Sequence, residues 1–301
     1  MLLIKNGTVN TITKGIQKIG ILIKDKKIVA MGEKLNSLST EFVLDGEVIG
    51  REDDYEELNK ELRANGEFDF DPNTDTLEII DAQGQFIYPG FIDAHTHLGL
   101  WEDGMGVEGA DGNEETDPIT PHLNVIDGIN PMDRTFKEAY EGGITAVCTT
   151  PGSANVMGGQ AAAIKTFGRR IDKMIIKNPV ASKVAFGENP KSCYGSNDDT
   201  PQTRMAIAAL LRENLRKAEE YLFDLKSAEE DEDIDKPEFD IKLESLIPVL
   251  KKEIPLKAHA HRADDMFTAI RIAQEFDLKL TLDHCTEGHM IVEELLEEDY
   301  P

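Results

Sequence analysis

The ten residues 88–97, Tyr-Pro-Gly-Phe-Ile-Asp-Ala-His-Thr-His, decide the fold. Pro89-Gly90 ends one segment, the apolar run after it predicts a short buried strand, and His95 and His97 stand where that strand ends. Residues two apart on a strand point to the same face, so both imidazoles can reach one ion. Imidazole is a common zinc ligand, and the long loop over 99–130, rich in glycine and aspartate, is typical of active sites. The stretch therefore predicts a metal site at the carboxyl end of a strand.

Downstream of this stretch, short apolar runs alternate with helical stretches, which is the pattern of repeated βα units and a parallel sheet. The candidate strands are 91–95, 144–149, 174–176, 183–186, 256–259 and 280–284. A closed TIM-like (β/α)8 barrel needs eight strands. The sequence therefore predicts an α/β fold in which residues 89–301 form an incomplete barrel.

The residues before the decisive stretch have a different pattern. Short apolar runs separated by turns, such as Asp25-Lys26-Lys27, predict antiparallel hairpins over the first thirty residues. Strand character returns at 77–80 and 85–88, after an acidic stretch at 36–76 that is typical of a solvated insertion. We therefore expect residues 1–88 to form a small β domain that carries an insertion.

The histidines of the chain are concentrated at predicted strand ends. None of the seven occurs before position 95, and five of them follow candidate strands: His95, His97, His259, His261 and His284. Strand carboxyl ends are where a βα barrel places its catalytic groups. His261 shares a face with His259 but lies further out, which favours contact with substrate or with a ligand over direct metal binding. For the remaining two, His122 and His289, we expect structural roles.

Composition excludes several classes of partner. The formal net charge of −26 repels nucleic acid and anionic membrane surfaces, so we expect a small-molecule ligand, no nucleic acid and no membrane. The amino terminus lacks the pattern of an export signal, and no apolar run is long enough to span a bilayer. Three cysteines without short spacing fit a reducing compartment, which indicates the cytoplasm.

Three segments together resemble the urease-related superfamily of metal-dependent amidohydrolases. Residues 88–97 are similar to its first-strand motif, and the segments 256–259 (Leu-Lys-Ala-His) and 282–284 (Leu-Asp-His) are similar to its fifth- and sixth-strand histidines. The closest branch is that of the imidazolonepropionase-like and prolidase-like enzymes. The resemblance covers essentially the whole chain, and it implies that residues 1–88 form part of a small β-sandwich.

The resemblance also implies a ligand set and a reaction. The implied metal ligands are His95, His97, His259 and His284, with one or two divalent ions, most commonly zinc. A glutamate or a carboxylated lysine bridges the ions in binuclear members. Glu188, after the fourth candidate strand, is the preferred bridge here and a catalytic candidate with His261, and Lys183 is the alternative. The implied reaction is hydrolysis of an amide or cyclic amide C–N bond by metal-activated hydroxide.

One expected component has no counterpart in the sequence. The family uses an aspartate at the end of strand eight for proton transfer, and no residue fills that place. Strand alternation directs Asp283 away from His284, and Asp264 and Asp265 open a predicted helix, where capping is the simpler role. This departure suggests a fragment, and it leaves open a non-catalytic metal-binding or assembly protein. A homo-oligomeric state is also left open. Arg262 could hold a substrate carboxylate, but a surface ion pair is the simpler interpretation.

Overall fold

The computed structural model describes residues 1–37, 77–196, 199–298 and 300–301. These residues form two compact units, Met1–Pro89 and Gly90–Pro301. The predicted acidic insertion at 36–76 lies outside the described residues apart from its first two, which end a short 3-10 helix at Glu33–Ser37.

The first unit is built on one five-stranded sheet. Its strands are β1 (Leu2–Asn10), β2 (Ile16–Lys24), β3 (Lys27–Gly32), β4 (Glu78–Asp81) and β5 (Phe86–Ile87). The predicted hairpins are confirmed, because β2 pairs antiparallel with both β1 and β3. Asp25 and Lys26 both have positive φ in the tight turn between β2 and β3, as two-residue hairpin turns of the primed type require. The strands β4 and β5 both pair with β1 in parallel.

The second unit is built on a six-stranded sheet of order β11-β10-β9-β8-β7-β6. Its strands are β6 (Phe91–Thr96), β7 (Ile144–Thr149), β8 (Met157–Lys165), β9 (Ile175–Ala185), β10 (Leu256–Ala260) and β11 (Leu280–His284). The pairs β6–β7, β9–β10 and β10–β11 are parallel, as a barrel of βα units requires. The strand β8 is antiparallel to both of its neighbours.

The expectation of an all-parallel sheet is therefore wrong at β8. Residues 157–165 were not predicted as a strand, because their glycines and alanines carry little strand propensity. The two candidate strands at 174–176 and 183–186 are one continuous strand, β9. Pro179 lies inside this strand, where the β8–β9 register shifts between Ala161 and Ala163, and this irregularity accommodates a proline.

Seven α-helices belong to the described part of the second unit. They are α1 (Arg134–Glu141), α2 (Glu188–Gly195), α3 (Arg204–Glu230), α4 (Ile241–Glu244), α5 (Ile247–Leu250), α6 (Ala263–Glu275) and α7 (Val292–Glu297). The buried faces of α3 and α6 share one hydrophobic core with β9, β10 and β11. None of the helices in the described ranges is long and apolar enough to cross a membrane.

The six-stranded sheet is strongly curved. Strands β6 and β11 are its two edges, five strand spacings apart, which in a flat sheet would be about 24 Å. Yet Nδ1 of His95, on β6, lies 3.0 Å from Oδ2 of Asp283, on β11. The sheet therefore curls until the carboxyl ends of its edge strands meet, as in an incompletely closed barrel.

Candidate metal centre

The four predicted histidine ligands come together where the edge strands meet. His95 and His97 come from the end of β6 and the residue just beyond it, His259 from β10 and His284 from β11. The ring centroid of His95 lies 5.2 Å from that of His97 and 4.9 Å from that of His284, and the centroid of His284 lies 4.6 Å from that of His259. The four rings thus form one contiguous cluster from three strands.

Several ring nitrogens in this cluster are buried without a hydrogen-bond partner. His259 is 3% exposed, and neither of its ring nitrogens has a partner among the described residues. Both ring nitrogens of His95 are likewise buried without a hydrogen-bond partner in this part of the chain. Each buried polar atom left unsatisfied costs roughly 1–3 kcal/mol. Neighbouring imidazoles with unpartnered ring nitrogens supply the kind of donor that a divalent cation needs, so the chemistry of the donor set fits a metal ion. In the described part of the chain, the ligand atoms that lie within 4.8 Å of one another are those of Glu188, His259 and His261.

His97 has a partner that fixes its tautomer. Its Nδ1 lies 2.8 Å from the carbonyl oxygen of Thr150, and a carbonyl can only accept, so Nδ1 carries the proton. Nε2 is then left with a free lone pair. The ring of Trp101 lies edge-on to His97, with 5.1 Å between the centroids. Burial lowers the pKa of His97, and the hydrogen bond to Thr150 opposes this only in part.

The histidines of β10 and β11 are held in their neutral form. Burial lowers the pKa of His259 to about 3, with the nearby Lys183 and His284 adding to the effect. Burial also lowers the pKa of His284 to about 4, with His95 and Lys183 contributing. Metal binding requires deprotonated imidazoles, so both side chains are ready to coordinate an ion at neutral pH.

Beneath the histidines lies a buried group of charged side chains. Strand register places Lys183 of β9 beside Lys257 of β10, and His259 beside Asp283 of β11. Oδ1 of Asp283 accepts a hydrogen bond from Nζ of Lys257 at 2.6 Å, and Oδ2 accepts one from Nζ of Lys183 at 3.3 Å. Burial alone would raise the pKa of Asp283, but contacts with His95 and the two lysines outweigh it and lower the pKa.

The position of Asp283 corrects the sequence prediction. Alternation along β11 directed it away from the histidines, yet it contacts His95 while its neighbour His284 packs against the same ring. His284 and Cys285 both have positive φ, so the extended conformation ends at His284 and alternation no longer applies. Asp283 and His284 therefore both contribute to the cluster.

Lys183, the alternative bridge, lies fully buried below the histidines. Burial lowers its pKa to about 8, against the opposing effect of Asp283. It lies two residues before the end of β9, and its amine reaches the interior because strand register places it beside Lys257.

Glu188 and His261 lie at the outer edge of the cluster. Glu188 begins α2 directly after Gly187, and its carboxylate lies 3.9 Å from Nε2 of His261, with both side chains partly exposed. The potential ligand atoms of Glu188, His259 and His261 lie within 4.8 Å of one another. The ring of His261 is 4.6 Å from that of His259, so it is closer to the cluster than the sequence indicated. Nδ1 of His261 contacts the Thr286 hydroxyl at 2.6 Å.

The two aspartates at the start of α6 form ion pairs and do not cap the helix. Asp265 is buried and receives two hydrogen bonds from Arg204, at 2.8 and 3.0 Å. Asp264 pairs with Arg262 at the surface, as the simpler interpretation of Arg262 predicted.

Sequence reasoning missed Lys257, although its spacing of two from His259 was a signal that both side chains face the interior.

Comparisons with known proteins show what the chain is similar to. No family model matches the chain. It is 29% identical over 241 residues to the amidohydrolase tasK of Hapsidospora irregularis, which covers 71% of this chain but 24% of that protein. The chain thus spans about a quarter of the length of this curated relative.

A solved structure gives a closer match. The chain is similar to the crystal structure of an amidohydrolase from Thermotoga maritima MSB8, with 39% sequence identity and a TM-score of 0.82. The match covers 100% of this chain and 69% of the other. With the histidine cluster at the curled edge of the sheet, this similarity shows that the chain belongs to the amidohydrolase family.

Proposed function

We propose that this chain forms the metal centre of a hydrolase that cleaves the C–N bond of a small linear or cyclic amide. The observation that carries the proposal is the clustering of His95, His97, His259 and His284 from β6, β10 and β11, in which the buried ring nitrogens of His95 and His259 lack hydrogen-bond partners in the described ranges. Membership of the amidohydrolase family supports the same reaction class.

The proposed cofactor is one or two divalent ions, with zinc as the first candidate because the donors are mainly imidazoles. His95, His97, His259 and His284 would hold it, and the ion would act as a Lewis acid toward water and the substrate carbonyl. Glu188 is the preferred bridge between two ions, because its carboxylate clusters with His259 and His261. Lys183 is the alternative, since a lowered pKa makes its amine available for carboxylation.

The chain's own residues supply the remaining tasks. The hydrogen bond from Nδ1 of His97 to Thr150 leaves Nε2 free. Glu188 and His261, both partly exposed and 3.9 Å apart, are the proposed pair that exchanges a proton with the substrate. In a site with one ion, where Glu188 does not bridge, its carboxylate would take a proton from water, and Nε2 of His261 would pass a proton to the leaving nitrogen.

The finer assignments are also proposals. The three similar segments favour the imidazolonepropionase-like and prolidase-like branch. The proposed substrate is a small molecule, because the strongly negative net charge of the chain disfavours polyanionic partners. Cytoplasmic localisation and a homo-oligomeric state complete the proposal.

Metal analysis tests the site. The protein, purified without chelators and dialysed against zinc, is expected to hold at least one zinc ion per chain by mass spectrometry. The double variant His95→Ala/His97→Ala is expected to hold none, while His289→Ala, an exposed histidine outside the cluster, keeps the wild-type content. Stoichiometric zinc in the double variant would contradict the assignment.

A non-catalytic metal-binding protein is the second candidate, and one observation favours it. The interior carboxylate of Asp283 is engaged by Lys183, Lys257 and His95, so it is poorly placed to move protons. Assaying the zinc-loaded protein against N-acyl amino acids, dipeptides and cyclic amides separates the two. Zinc binding with no turnover of any class supports the second candidate.

A further inference from the structure

The buried pair of Lys257 and Asp283 has no role in the function proposed above. Both residues are 7% exposed, and Nζ of Lys257 donates to Oδ1 of Asp283 at 2.6 Å. Burying two charges is costly, and the mutual attraction repays the cost only when the geometry is good and further hydrogen bonds are made. A barrel interior is ordinarily filled by branched apolar side chains. A charged pair at this depth therefore calls for a specific explanation.

Asp283 connects this pair to the histidine cluster. Its Oδ2 lies 3.0 Å from Nδ1 of His95, but the imidazole is not oriented for a hydrogen bond to it, so the contact is a close electrostatic one. A carboxylate can only accept, so it favours the tautomer of His95 that carries its proton on Nδ1. Nε2 of His95 is then left with the lone pair that a metal ion requires.

Lys257 fixes the carboxylate in this position. It holds Oδ1, which leaves Oδ2 facing His95 and Lys183, and its contact at 2.6 Å is shorter than that of Lys183 at 3.3 Å. Without Lys257, the carboxylate would be free to rotate toward Lys183 and away from the imidazole. His97 needs no such device, because the Thr150 carbonyl already fixes its tautomer.

We propose that Lys257 and Asp283 are positioning residues that hold His95 with Nδ1 protonated and Nε2 free to bind a metal ion. The metal-binding part of this inference rests on the proposed function, whereas the tautomer of His95 does not. The pair acts through His95 and touches no reacting atom.

Nuclear magnetic resonance of the chelator-treated full chain, with 15N in its histidines, tests the proposal without metal. Long-range 1H–15N spectra identify which ring nitrogen carries the proton, and single His→Gln variants assign the signals. In the wild type we expect the Nδ1–H tautomer for both His95 and His97. An Nε2–H tautomer at His95 would overturn the proposal without recourse to any variant.

The variant Lys257→Met removes the charge and the donor while keeping an unbranched side chain. We expect His95 to shift toward the Nε2–H tautomer, which free imidazoles prefer, while His97 keeps its Nδ1–H signature. His97 thus reports whether the local fold is intact. The control Lys279→Met makes the same change at an exposed residue just before β11 and should leave both signals unchanged. An unchanged His95 tautomer in Lys257→Met would show that Lys257 has no positioning role.

Zinc affinity supplies the second readout. Loss of a partner behind a ligating histidine typically weakens metal binding by about 10–100-fold. We expect a loss in that range for Lys257→Met and no change for Lys279→Met, measured by competition with a chromophoric chelator. If the wild type binds no zinc, the proposed function is wrong. The tautomer of His95 then still shows whether Lys257 and Asp283 position its ring. A shifted His95 tautomer with undiminished zinc affinity would contradict its role in metal binding.

Discussion

Oδ2 of Asp283 lies 3.0 Å from Nδ1 of His95, although the two residues belong to the opposite edge strands of a six-stranded sheet. This one distance shows both that the sheet curls and that the histidine cluster has a charged layer beneath it. The distance also links the fold to the proposed function, because the curling of the sheet brings His95 and His284, from opposite edge strands, into the same candidate metal centre.

Removing the central carboxylate should destabilise the protein strongly. The variant Asp283→Ala leaves Lys183 and Lys257 buried beside each other without a counter-ion, and breaking a buried pair in this way costs about 3–5 kcal/mol. Urea denaturation monitored by circular dichroism measures the free energy of unfolding. The control Asp264→Ala, at an exposed pair, should cost less than about 1 kcal/mol. Equal losses in the two variants would show that the interior charges are not coupled.

Gly187 should not tolerate a side chain. Its φ is +83°, and a Cβ there would lie 2.6 Å from Oδ2 of the buried Asp265. We expect Gly187→Ala to cost about 1–3 kcal/mol and, because Glu188 follows directly, to weaken zinc binding as well. Denaturation and chelator competition measure the two effects. Gly195→Ala, at a glycine with no close backbone neighbour, is the matched control. Wild-type stability in Gly187→Ala would refute the argument from conformation.

The ion pair of Arg204 and Asp265 should matter more than that of Arg262 and Asp264. The first is bidentate onto a buried carboxylate, and hydrogen bonds to charged groups contribute about 1.5–3 kcal/mol. The second is exposed on both sides, so its contribution is about 0–1 kcal/mol. Thermal unfolding of Arg204→Ala and Arg262→Ala should show a clearly larger loss for Arg204→Ala. The reverse order would mean that burial does not set the strength of these pairs.

The identity of a bridging ligand can be decided with bicarbonate. If Glu188 bridges two ions, Glu188→Gln should lower the zinc content by about one ion per chain in a binuclear site, and bicarbonate should have no effect. If Lys183 bridges as a carbamate, bicarbonate should raise the zinc content of the wild type, and Lys183→Met should abolish that increase. We expect the first pattern, from the cluster of Glu188 with His259 and His261. A bicarbonate-dependent zinc content would transfer the role to Lys183.

The histidine pattern was predictable because it depends on local rules. A spacing of two on a strand fixes a shared face, and the ends of parallel strands meet at one edge of a sheet, so His95, His97 and His259 could be grouped from sequence alone. The same local rule failed at Asp283. The positive φ of His284 ends the alternation, and although histidine adopts this conformation more often than most residues, it does so too rarely for Leu-Asp-His-Cys to predict it there.

The strand β8 escaped prediction for a related reason. Its central Gly-Gly-Gln-Ala-Ala-Ala is stabilised as a strand by pairing with β7 and β9, and this stabilisation does not appear in local propensity. The curl of the sheet, and with it the contact of His95 with Asp283, depends on such pairing and could not be inferred from spacing.

The central claim is that His95, His97, His259 and His284 hold a metal ion. Anomalous diffraction at the zinc absorption edge from crystals grown with zinc tests it most directly. The account predicts an anomalous peak at about 2.0–2.1 Å from ring nitrogens of at least three of these histidines. An ordered, fully formed cluster with no peak, or zinc bound only elsewhere on the chain, would contradict it.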